Sequence, residues 1–301
     1  MQFFPGRKKF LIPGIFALLF FISLWVVYSF RSPVLIVSDS SFERIYGQKR
    51  LKRLESDISR ALFRKLILVT VDESAGPDLI ALAVEGAHKS PWAVLFPSRY
   101  VEGARNLLND RPDLPVLVLS GGNRRIQAEE GFASINTDTP LDLYRAGLCA
   151  ALLAGENGVF VISDGTFTDE SKDAFTEGLR AQGYLEDPVW TVAGFDFSTR
   201  TDLGCVVVMG TASMFLEQNL SVPVILFSWL DPTYTPKSVK LIFDDSPFVF
   251  AVKALKLLPK PGEEVFLGSS TVILKDRILE KRDFRSIKRF IEEKLPNFEN
   301  E

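Results

Sequence analysis

The sequence predicts an α/β fold of two lobes with mainly parallel sheets, preceded by one N-terminal transmembrane helix. Short apolar runs rich in Val, Ile and Leu alternate with segments of helical periodicity along most of the chain. These runs are continuous rather than alternating in polarity, as expected of strands that are covered on both faces. They form two series of roughly a hundred residues each, the size of an ordinary domain.

The first predicted element is a membrane helix. Between Lys9 and Arg31 lie 21 uncharged residues, which as a helix would reach about 31 Å, the thickness of one bilayer core. Basic residues are concentrated before this segment, so the positive-inside rule predicts a single-pass protein of the cytoplasmic (inner) membrane. Its soluble part would be extracytoplasmic or periplasmic. A cleaved signal peptide is the alternative, because Val27 and Ser29 suit a cleavage site, although the apolar run is longer than usual.

The predicted boundaries are residues 1–32 for the short N-terminus and anchor, 33–138 for lobe 1 and 139–245 for lobe 2. Each lobe alternates strands with helices, as a Rossmann-like unit does. Residues 246–301 are expected to form a return helix, a hairpin and a C-terminal helix that complete the lobes. The predicted strands are PVLIVSD (33–39), KLILVTVD (65–72), WAVLFPS (92–98), PVLVLSG (115–121) and FASINTD (132–138), then GVFVISD (158–164), PVWTVAGF (188–195), CVVVMG (205–210), PVILFSW (223–229) and VKLIFDD (239–245).

Charge argues against a nucleic-acid partner. The chain has 35 Lys and Arg against 38 Asp and Glu. Without the four basic residues that flank the apolar segment, about 31 face 38, and an acidic soluble part repels a polyanion. The basic run from Lys49 to Arg53 is interpreted as the solvated face of a helix, with anionic headgroups as the alternative.

The usual catalytic and metal-binding patterns are missing. His88 is the only histidine and no G-x-S-x-G segment accompanies it, so a Ser/His/Asp triad is not expected. One histidine and the distant Cys149 and Cys205 do not form a usual zinc site, and the cysteines are predicted to be buried free thiols. We therefore expect no catalytic residue, no metal and no cofactor, and a protein that is not an enzyme. A hydrolytic site built from Asp pairs stays open as an alternative.

The loop and helix in GVFVISDGTFTDESKDAFTEGLRAQGY, residues 158–184, test whether the second lobe binds a phosphate. Either Thr166, in a capping box with Asp169, or Thr168 is expected to cap the helix. Asp169 and Glu170 occupy its first turn, where two carboxylates would repel an anion. A neutral, hydroxyl-rich or cationic ligand is therefore favoured, near Asp164 and Thr166.

This segment resembles the strand, loop and helix that open the second lobe of type I periplasmic binding proteins. The preceding INTDTPLDLYRAGLCAALLAGEN is similar to the same family's crossover, a strand ending in Asp followed by an A-G-x-x-A-A helix. SVKLIFDDSPFVFAVKALKLLPKPGEEVFLGSSTVIL is similar to the end of the basic membrane protein branch, whose members bind purine nucleosides. The resemblance covers about residues 33–275.

The resemblance implies a solute-binding protein that closes two lobes around a small polar ligand, a nucleoside or a sugar-like molecule. Its partners would be an ABC-type permease in uptake, or a membrane receptor in sensing. The alternative is a binding fold that has lost its ligand and serves as an envelope scaffold, with a cleft filled by Phe195, Phe197 and Trp229. The expected ligand-binding residues are Asp39, Phe42, Asn136, Asp138, Asp164, Thr166, Asp196 and Trp229.

Overall fold

The computed structural model describes residues 8–40, 48–121, 125–163, 167–192, 197, 200–209, 220–227, 235–244, 246–278 and 280–295. Within these residues the chain forms two six-stranded sheets flanked by helices. All ten strands predicted for the two lobes are present, most of them within two residues of the predicted limits.

The first sheet is entirely parallel. Its spatial order is β11-β5-β4-β3-β1-β2, so β1 lies inside the sheet between β2 and β3. Most of the inner strands are fully buried, which explains their continuous apolar sequences. The strands are β1 (Val34–Asp39), β2 (Leu66–Val71), β3 (Ala93–Pro97), β4 (Val116–Leu119), β5 (Ala133–Thr137) and β11 (Glu264–Leu267).

The second sheet has the corresponding order β12-β10-β9-β8-β6-β7. Its strands are parallel except β12, which pairs antiparallel with β10. The strands are β6 (Gly158–Ser163), β7 (Val189–Val192), β8 (Leu203–Met209), β9 (Val224–Phe227), β10 (Val239–Asp244) and β12 (Ser270–Ile273).

Helices cover the sheets. α2 and α7 pack on one face of the first sheet, and α3 and α4 pack on the other. α5, α6 and α8 cover one face of the second sheet. The helices are α1 (Lys8–Phe30), α2 (Gln48–Leu62), α3 (Pro77–Ala87), α4 (Val101–Asp110), α5 (Thr139–Ala154), α6 (Asp169–Ala181), α7 (Pro247–Leu257) and α8 (Lys281–Glu292), with 3-10 turns at Ser98–Tyr100 and Lys275–Arg277.

Two glycines let α5 and α6 touch backbone to backbone. A Cβ atom at Gly147 would overlap the carbonyl oxygen of Phe175, and one at Gly178 would overlap that of Tyr144. The small residues of the A-G-x-x-A-A segment are therefore explained by this close approach, which larger side chains would prevent.

The chain crosses between the two sheets three times at one edge. It leaves the first sheet after Thr137 and returns after Asp244. The third crossing is the short connection of Gly268 and Ser269 between β11 and β12. Because β11 is parallel to β5 and β12 begins opposite Asp244, this connection lies at the same edge as the others. The sheets therefore meet where their parallel strands end.

The C-terminal strands correct one prediction. A hairpin is expected within residues 246–301, but β11 adds to the first sheet beside β5 and β12 adds to the second beside β10. Each strand covers the open edge of a different sheet. If β11 and β12 formed a separate hairpin with each other, those two edges would stay open. Residues 264–273 therefore belong to both lobes.

Helix α1 leads into the first sheet, and its end packs on the end of α2. The ring centroids of Tyr28 and Phe63 are 5.2 Å apart, and the hydroxyls of Ser59 and Tyr28 are hydrogen-bonded at 3.3 Å. Among the residues that are described, no helix combines the length and apolar character that crossing a membrane requires.

Candidate functional site

The candidate cleft is the space between the strand ends of the two sheets, at the edge where the chain crosses between them. In open α/β sheets ligands bind beyond the carboxyl ends of parallel strands. On the first sheet, Ser38 and Asp39 end β1 with fully buried side chains. On the second, Asp244 ends β10 and is also buried.

Asp39 is contacted by a guanidinium and a phenol from the turn that follows the neighbouring strand β3. β3 ends at Pro97, and the following 3-10 turn brings Arg99 and Tyr100 over the end of β1. The Arg99 guanidinium and the Tyr100 hydroxyl both contact Oδ2 of Asp39. The guanidinium also lies 4.8 Å from the centroid of the Tyr100 ring.

These three side chains differ in exposure, which decides what each can do. Asp39 is fully buried, whereas 42% of the Arg99 side chain is exposed. Tyr100 is 5% exposed, and burial raises the pKa of its hydroxyl, so the phenol stays protonated as a donor. The cluster offers an incoming ligand guanidinium N–H donors whose orientation is fixed by a buried carboxylate.

The end of β2 adds oxygen-bearing side chains beside this cluster. Ser40 Oγ donates to the Glu73 carboxylate at 2.6 Å. Asp72 accepts from the Ser74 N–H at 2.8 Å and from the Ser74 hydroxyl, and these bonds lower the pKa of Asp72. This edge of the first sheet is therefore rich in ionised or hydroxylated groups.

On the second sheet, Asp244 pairs with a side chain from the other lobe. The Arg50 guanidinium, from the first turn of α2, contacts Oδ2 of Asp244. Oδ1 of Asp244 accepts from the Ser246 N–H at 3.1 Å. The Arg50–Asp244 pair therefore links the two lobes beside a crossing.

The crossings contain a second buried carboxylate, Asp142 of α5, which is 1% exposed. The Ser269 N–H donates to its two oxygens at 3.1 and 2.9 Å, and Arg145 lies 3.8 Å away. Burial raises the pKa of Asp142 to about 7, although the Ser269 bonds and Arg145 favour the charged form. Asp142 therefore holds the crossing between β11 and β12.

Three of the eight predicted ligand-binding residues lie in the described part of the chain. Asp39 is at the cleft edge, as above. Asn136 is 1% exposed, its oxygen accepts from the Ile126 N–H at 2.8 Å, and its nitrogen donates to the Ile126 carbonyl at 3.0 Å. Asp138 caps α5 by accepting from the Leu141 N–H at 3.1 Å. Asn136 and Asp138 thus have structural partners, and their ligand roles stay predictions.

The other five predicted residues, Phe42, Asp164, Thr166, Asp196 and Trp229, lie outside the described residues. The helix cap is settled, since Thr168 Oγ1 accepts from the Ser171 N–H at 3.3 Å at the start of α6. Asp169 and Glu170 stand exposed in the first turn, as predicted. Phe197 is one of the residues expected to fill the cleft in the scaffold alternative. Its ring is buried against Phe160 in a hydrophobic cluster of the second lobe.

The ligand-binding residues expected from the sequence do not include Arg99, Tyr100, Arg50 or Asp142. The sequence signal for the first two is an arginine and an aromatic directly after the third predicted strand. For Arg50, the basic run from Lys49 to Arg53 predicts only a solvated helix face. Its partner Asp244 lies in the other lobe, so no local sequence pattern predicts the Arg50–Asp244 pair.

The remaining reactive groups lie away from the cleft. His88 ends α3, and its Nδ1 accepts from the Ser90 N–H at 3.1 Å. Cys149 and Cys205 are buried free thiols, as predicted, and burial raises the pKa of both. Within the described ranges, no three His, Cys, Asp or Glu side chains gather closely enough to hold a metal ion.

No family model matches the sequence, and no curated protein matches it significantly. Solved structures do match its fold. A transcriptional activator of the comK gene from Bacillus halodurans has a TM-score of 0.61 at 12% identity, over 87% of this chain and 96% of that one. An ABC-transporter solute-binding protein from Conexibacter woesei has a TM-score of 0.56 at 13% identity, over 89% and 99%.

A third similar structure is a periplasmic ABC-transporter solute-binding protein from Actinobacillus succinogenes with bound D-allose. It has a TM-score of 0.53 at 12% identity, over 82% of this chain and 99% of that one. Identities this low establish the fold alone. The chain therefore has the two-lobed α/β fold of type I periplasmic binding proteins.

Proposed function

We propose that this protein is a membrane-anchored, extracytoplasmic solute-binding protein that closes its two lobes around a small, uncharged, hydroxyl-rich ligand. It serves ABC-type uptake or sensing, with a permease or a membrane receptor as its partner, and it releases the ligand unaltered because it is not an enzyme.

The observation that supports this proposal most strongly is the cluster of Asp39, Arg99 and Tyr100 at the end of β1. A guanidinium held by a buried carboxylate presents donors in a fixed plane, which suits adjacent hydroxyl oxygens. Fixing the donors before binding lowers the entropic cost of ordering them around a solute.

The second lobe favours a ligand without phosphate. Asp169 and Glu170 stand in the first turn of α6, directly after the strand end and loop of β6. Their negative charge opposes the positive end of the helix dipole, so the amide groups there attract an anion poorly. A sugar or an unphosphorylated nucleoside fits this environment.

Between those two ligands the described residues favour a sugar. Tyr100 is the aromatic side chain described at the cluster, and it is almost fully buried, so it offers no open face for a purine base. The solved structure with D-allose shows a sugar bound to the same fold. A nucleoside would require an aromatic platform from Phe42 or Trp229.

Anchoring in a membrane is supported by the apolar surface of α1. Phe20, Phe21, Trp25 and Phe30 are between 60% and 86% exposed, so the core of the lobes does not cover them. Exposed aromatic side chains on one helix are costly in water, whereas a bilayer would cover them.

A ligand-free scaffold is the second candidate. The observation that favours it is that Asp39 and Asp244, the buried carboxylates at the two strand-end edges, both already contact an arginine of the chain. Each carboxylate thus has a counterion without a solute, and the Arg50–Asp244 pair also joins the two lobes.

The test is thermal unfolding of the full chain in a neutral detergent against a panel of sugars, nucleosides and amino acids. A ligand at a hundredfold excess over its Kd stabilises the folded state by about 2.7 kcal/mol. Arg99→Gln should abolish that stabilisation because it removes the guanidinium, whereas Arg180→Gln, in an exposed pair with Asp187, should retain it.

A flat response of the folded wild type across the panel would contradict solute binding and favour the scaffold. Mass spectrometry of the ligand after prolonged incubation completes the test. An unaltered ligand agrees with the proposal, and a chemically changed one would establish catalysis instead.

A further inference from the structure

An open groove of about 1000 Å³ lies between the two lobes on the side of α2 and α7. Helices α2 and α7 of the first lobe form one side of it, and all four residues of β12, Ser270–Ile273, form the other. This groove, called the β12 groove here, is distinct from the cluster around Asp39.

The β12 groove is positively charged. Its lining has five basic side chains and two carboxylates: Arg50, Arg53, Arg60, Lys253 and Lys256 against Asp57 and Asp244. The two carboxylates lie near Arg53 and Arg50 respectively. The excess charge comes from Arg60 and Lys256, which approach from two helices and are exposed, and in part from Lys253, whose ammonium also donates to the Gly268 carbonyl at 3.3 Å. A positive surface on a protein of net charge -3 is a local feature rather than a general one.

The strand on the opposite side presents main-chain hydrogen-bonding groups. In an antiparallel pair, alternate residues direct their N–H and C=O toward the partner strand. Leu274 N–H donates to Lys240 O at 3.0 Å, and Val272 lies opposite Ile242 in the same register. By this alternation Thr271 and Ile273 direct their main-chain groups away from β10, at the outer edge of the second sheet.

The outward groups of β12 lack hydrogen-bonding partners among the described residues. Backbone hydrogen bonds from Thr271 and Ile273 to other described segments are not formed. The Thr271 hydroxyl is likewise buried without a partner in the part of the chain that the structure describes. An edge strand with outward N–H and C=O groups beside an open groove is a template on which another strand can pair.

The groove is also partly apolar. Val249 and Val252 of α7 line it together with Val272 and Ile273 of β12. Because Val249, Val252, Lys253 and Lys256 all lie on α7, apolar and basic groups are interspersed, and an occupant with both apolar and acidic side chains would complement this lining.

We infer that the β12 groove binds an extended, acidic polypeptide segment of a partner protein, which adds as a strand to β12. Main-chain bonds to Thr271 and Ile273 provide affinity in this mode of recognition, and side chains provide specificity. Arg60, Lys253 and Lys256 select acidic residues. The inference does not depend on the solute-binding function of the cleft.

The test uses the full chain in neutral detergent and a fluorescent peptide of about ten residues that alternates valine with glutamate. Binding is measured by anisotropy at low and high salt. Three probes accompany it: the same peptide with N-methylated amides, a peptide with lysine in place of glutamate, and vesicles of anionic phospholipid. We expect binding of the acidic peptide that weakens with salt, and at least about tenfold weaker binding of the other two peptides.

Variants of the protein localise the binding. Arg60→Glu with Lys256→Glu should weaken the acidic peptide at least about tenfold, whereas Lys52→Glu, on the same helix outside the groove, should change it less than about twofold. Thr271→Pro removes an N–H that faces away from β10, so it should weaken the peptide while the β10–β12 pairing is retained.

Several results would overturn the inference. These are no binding of the acidic peptide by the folded wild type, equal binding of the N-methylated peptide, or equal binding by the Arg60 and Lys256 variant. Binding of the anionic vesicles without binding of the peptide would assign the groove to a lipid surface and would also overturn it. Because each measurement uses a protein without added sugar or nucleoside, failure here is separate from failure of the proposed solute binding.

Discussion

At the scale of single residues, Asp142 fixes the connection between β11 and β12 by accepting hydrogen bonds from Ser269. Because Asp142 is buried, its charged form is destabilised. Its neighbours are the Ser269 N–H, Arg145, Lys253 and the carboxylate of Asp138. Burial dominates over the favourable contacts, so the pKa is raised from 3.8 to about 7. The folded state consequently binds this proton more tightly than the unfolded chain.

This shift predicts how stability depends on pH. Since the folded pKa is the higher one, the contribution of Asp142 to stability is fully present below pH 3.8 and is lost as pH rises toward about 7. In Asp142→Asn this loss is absent, so the variant should gain stability relative to the wild type as pH rises through that window. Urea unfolding at several pH values measures the difference.

The exposed Asp187→Asn provides the control for that comparison, because its carboxylate lies in a surface pair with Arg180. The same urea series on this variant measures the effect of removing a carboxylate that is not buried. A constant difference between Asp142→Asn and the wild type over the pH window would show that the Asp142 carboxylate titrates alike in the folded and unfolded chains.

The sequence predicted the position of Asp39 but not its environment. Polar residues at strand ends follow from the strand pattern, and Asp39 is at such an end. Its contacts with Arg99 and Tyr100 depend on β1 and β3 being neighbours in the sheet. That neighbourhood joins segments about sixty residues apart, and a single sequence without tertiary contacts does not specify it.

At the scale of elements, the contact between α5 and α6 depends on two glycines rather than on interdigitated side chains. Gly147 and Gly178 each lie against a carbonyl of the opposite helix. A glycine inside a helix normally costs about 1 kcal/mol relative to alanine. Here that cost is offset by a separation that only glycine permits.

Gly178→Ala should therefore destabilise the protein by about 3 kcal/mol, because the added methyl group forces the helices apart. Gly86→Ala in α3 is the matched control. A Cβ at Gly86 meets nothing within 4 Å, so alanine should stabilise by about 0.5–1 kcal/mol. Urea midpoints of the two variants test the opposite signs, and equal effects would exclude the close-approach explanation.

Elements were predicted better than their pairings. Ten strands follow from apolar runs, because a strand buried on both faces leaves a local signature. β11 and β12 are short, and neither is buried along its length. The expected hairpin rests on the resemblance of this segment to the end of the basic membrane protein branch, not on a turn signal in the sequence. Which sheet edge each strand joins is decided by tertiary contacts such as Ser269 with Asp142.

At the scale of the whole molecule, the Arg50–Asp244 pair links the lobes directly. Arg50 belongs to α2 of the first lobe, and Asp244 ends β10 of the second. The Asp244 side chain is 3% exposed, so its charged form depends strongly on the Arg50 guanidinium for stabilisation. Hinged two-lobed proteins open by rotation at their crossings, and such a pair opposes this motion.

Arg50→Ala should open the lobes and destabilise the protein by about 3 kcal/mol, because a buried carboxylate loses its counterion. Small-angle scattering should report a larger radius of gyration for the variant. Arg53→Ala, three residues along the same helix and paired only weakly with Asp57 at 3.9 Å, should leave both quantities nearly unchanged. An unchanged radius for Arg50→Ala would mean that the pair does not restrain the lobes.

The placement of β11 and β12 also has a consequence for the order of folding during synthesis. The first sheet is completed by a strand that is translated only after all the parallel strands of the second sheet, and β12 follows immediately. Until residues 264–273 emerge, β5 and β10 are both edge strands with open hydrogen-bonding groups. Neither sheet is therefore complete until these last strands are translated, and open strand edges of this kind favour aggregation in a chain that is still being made.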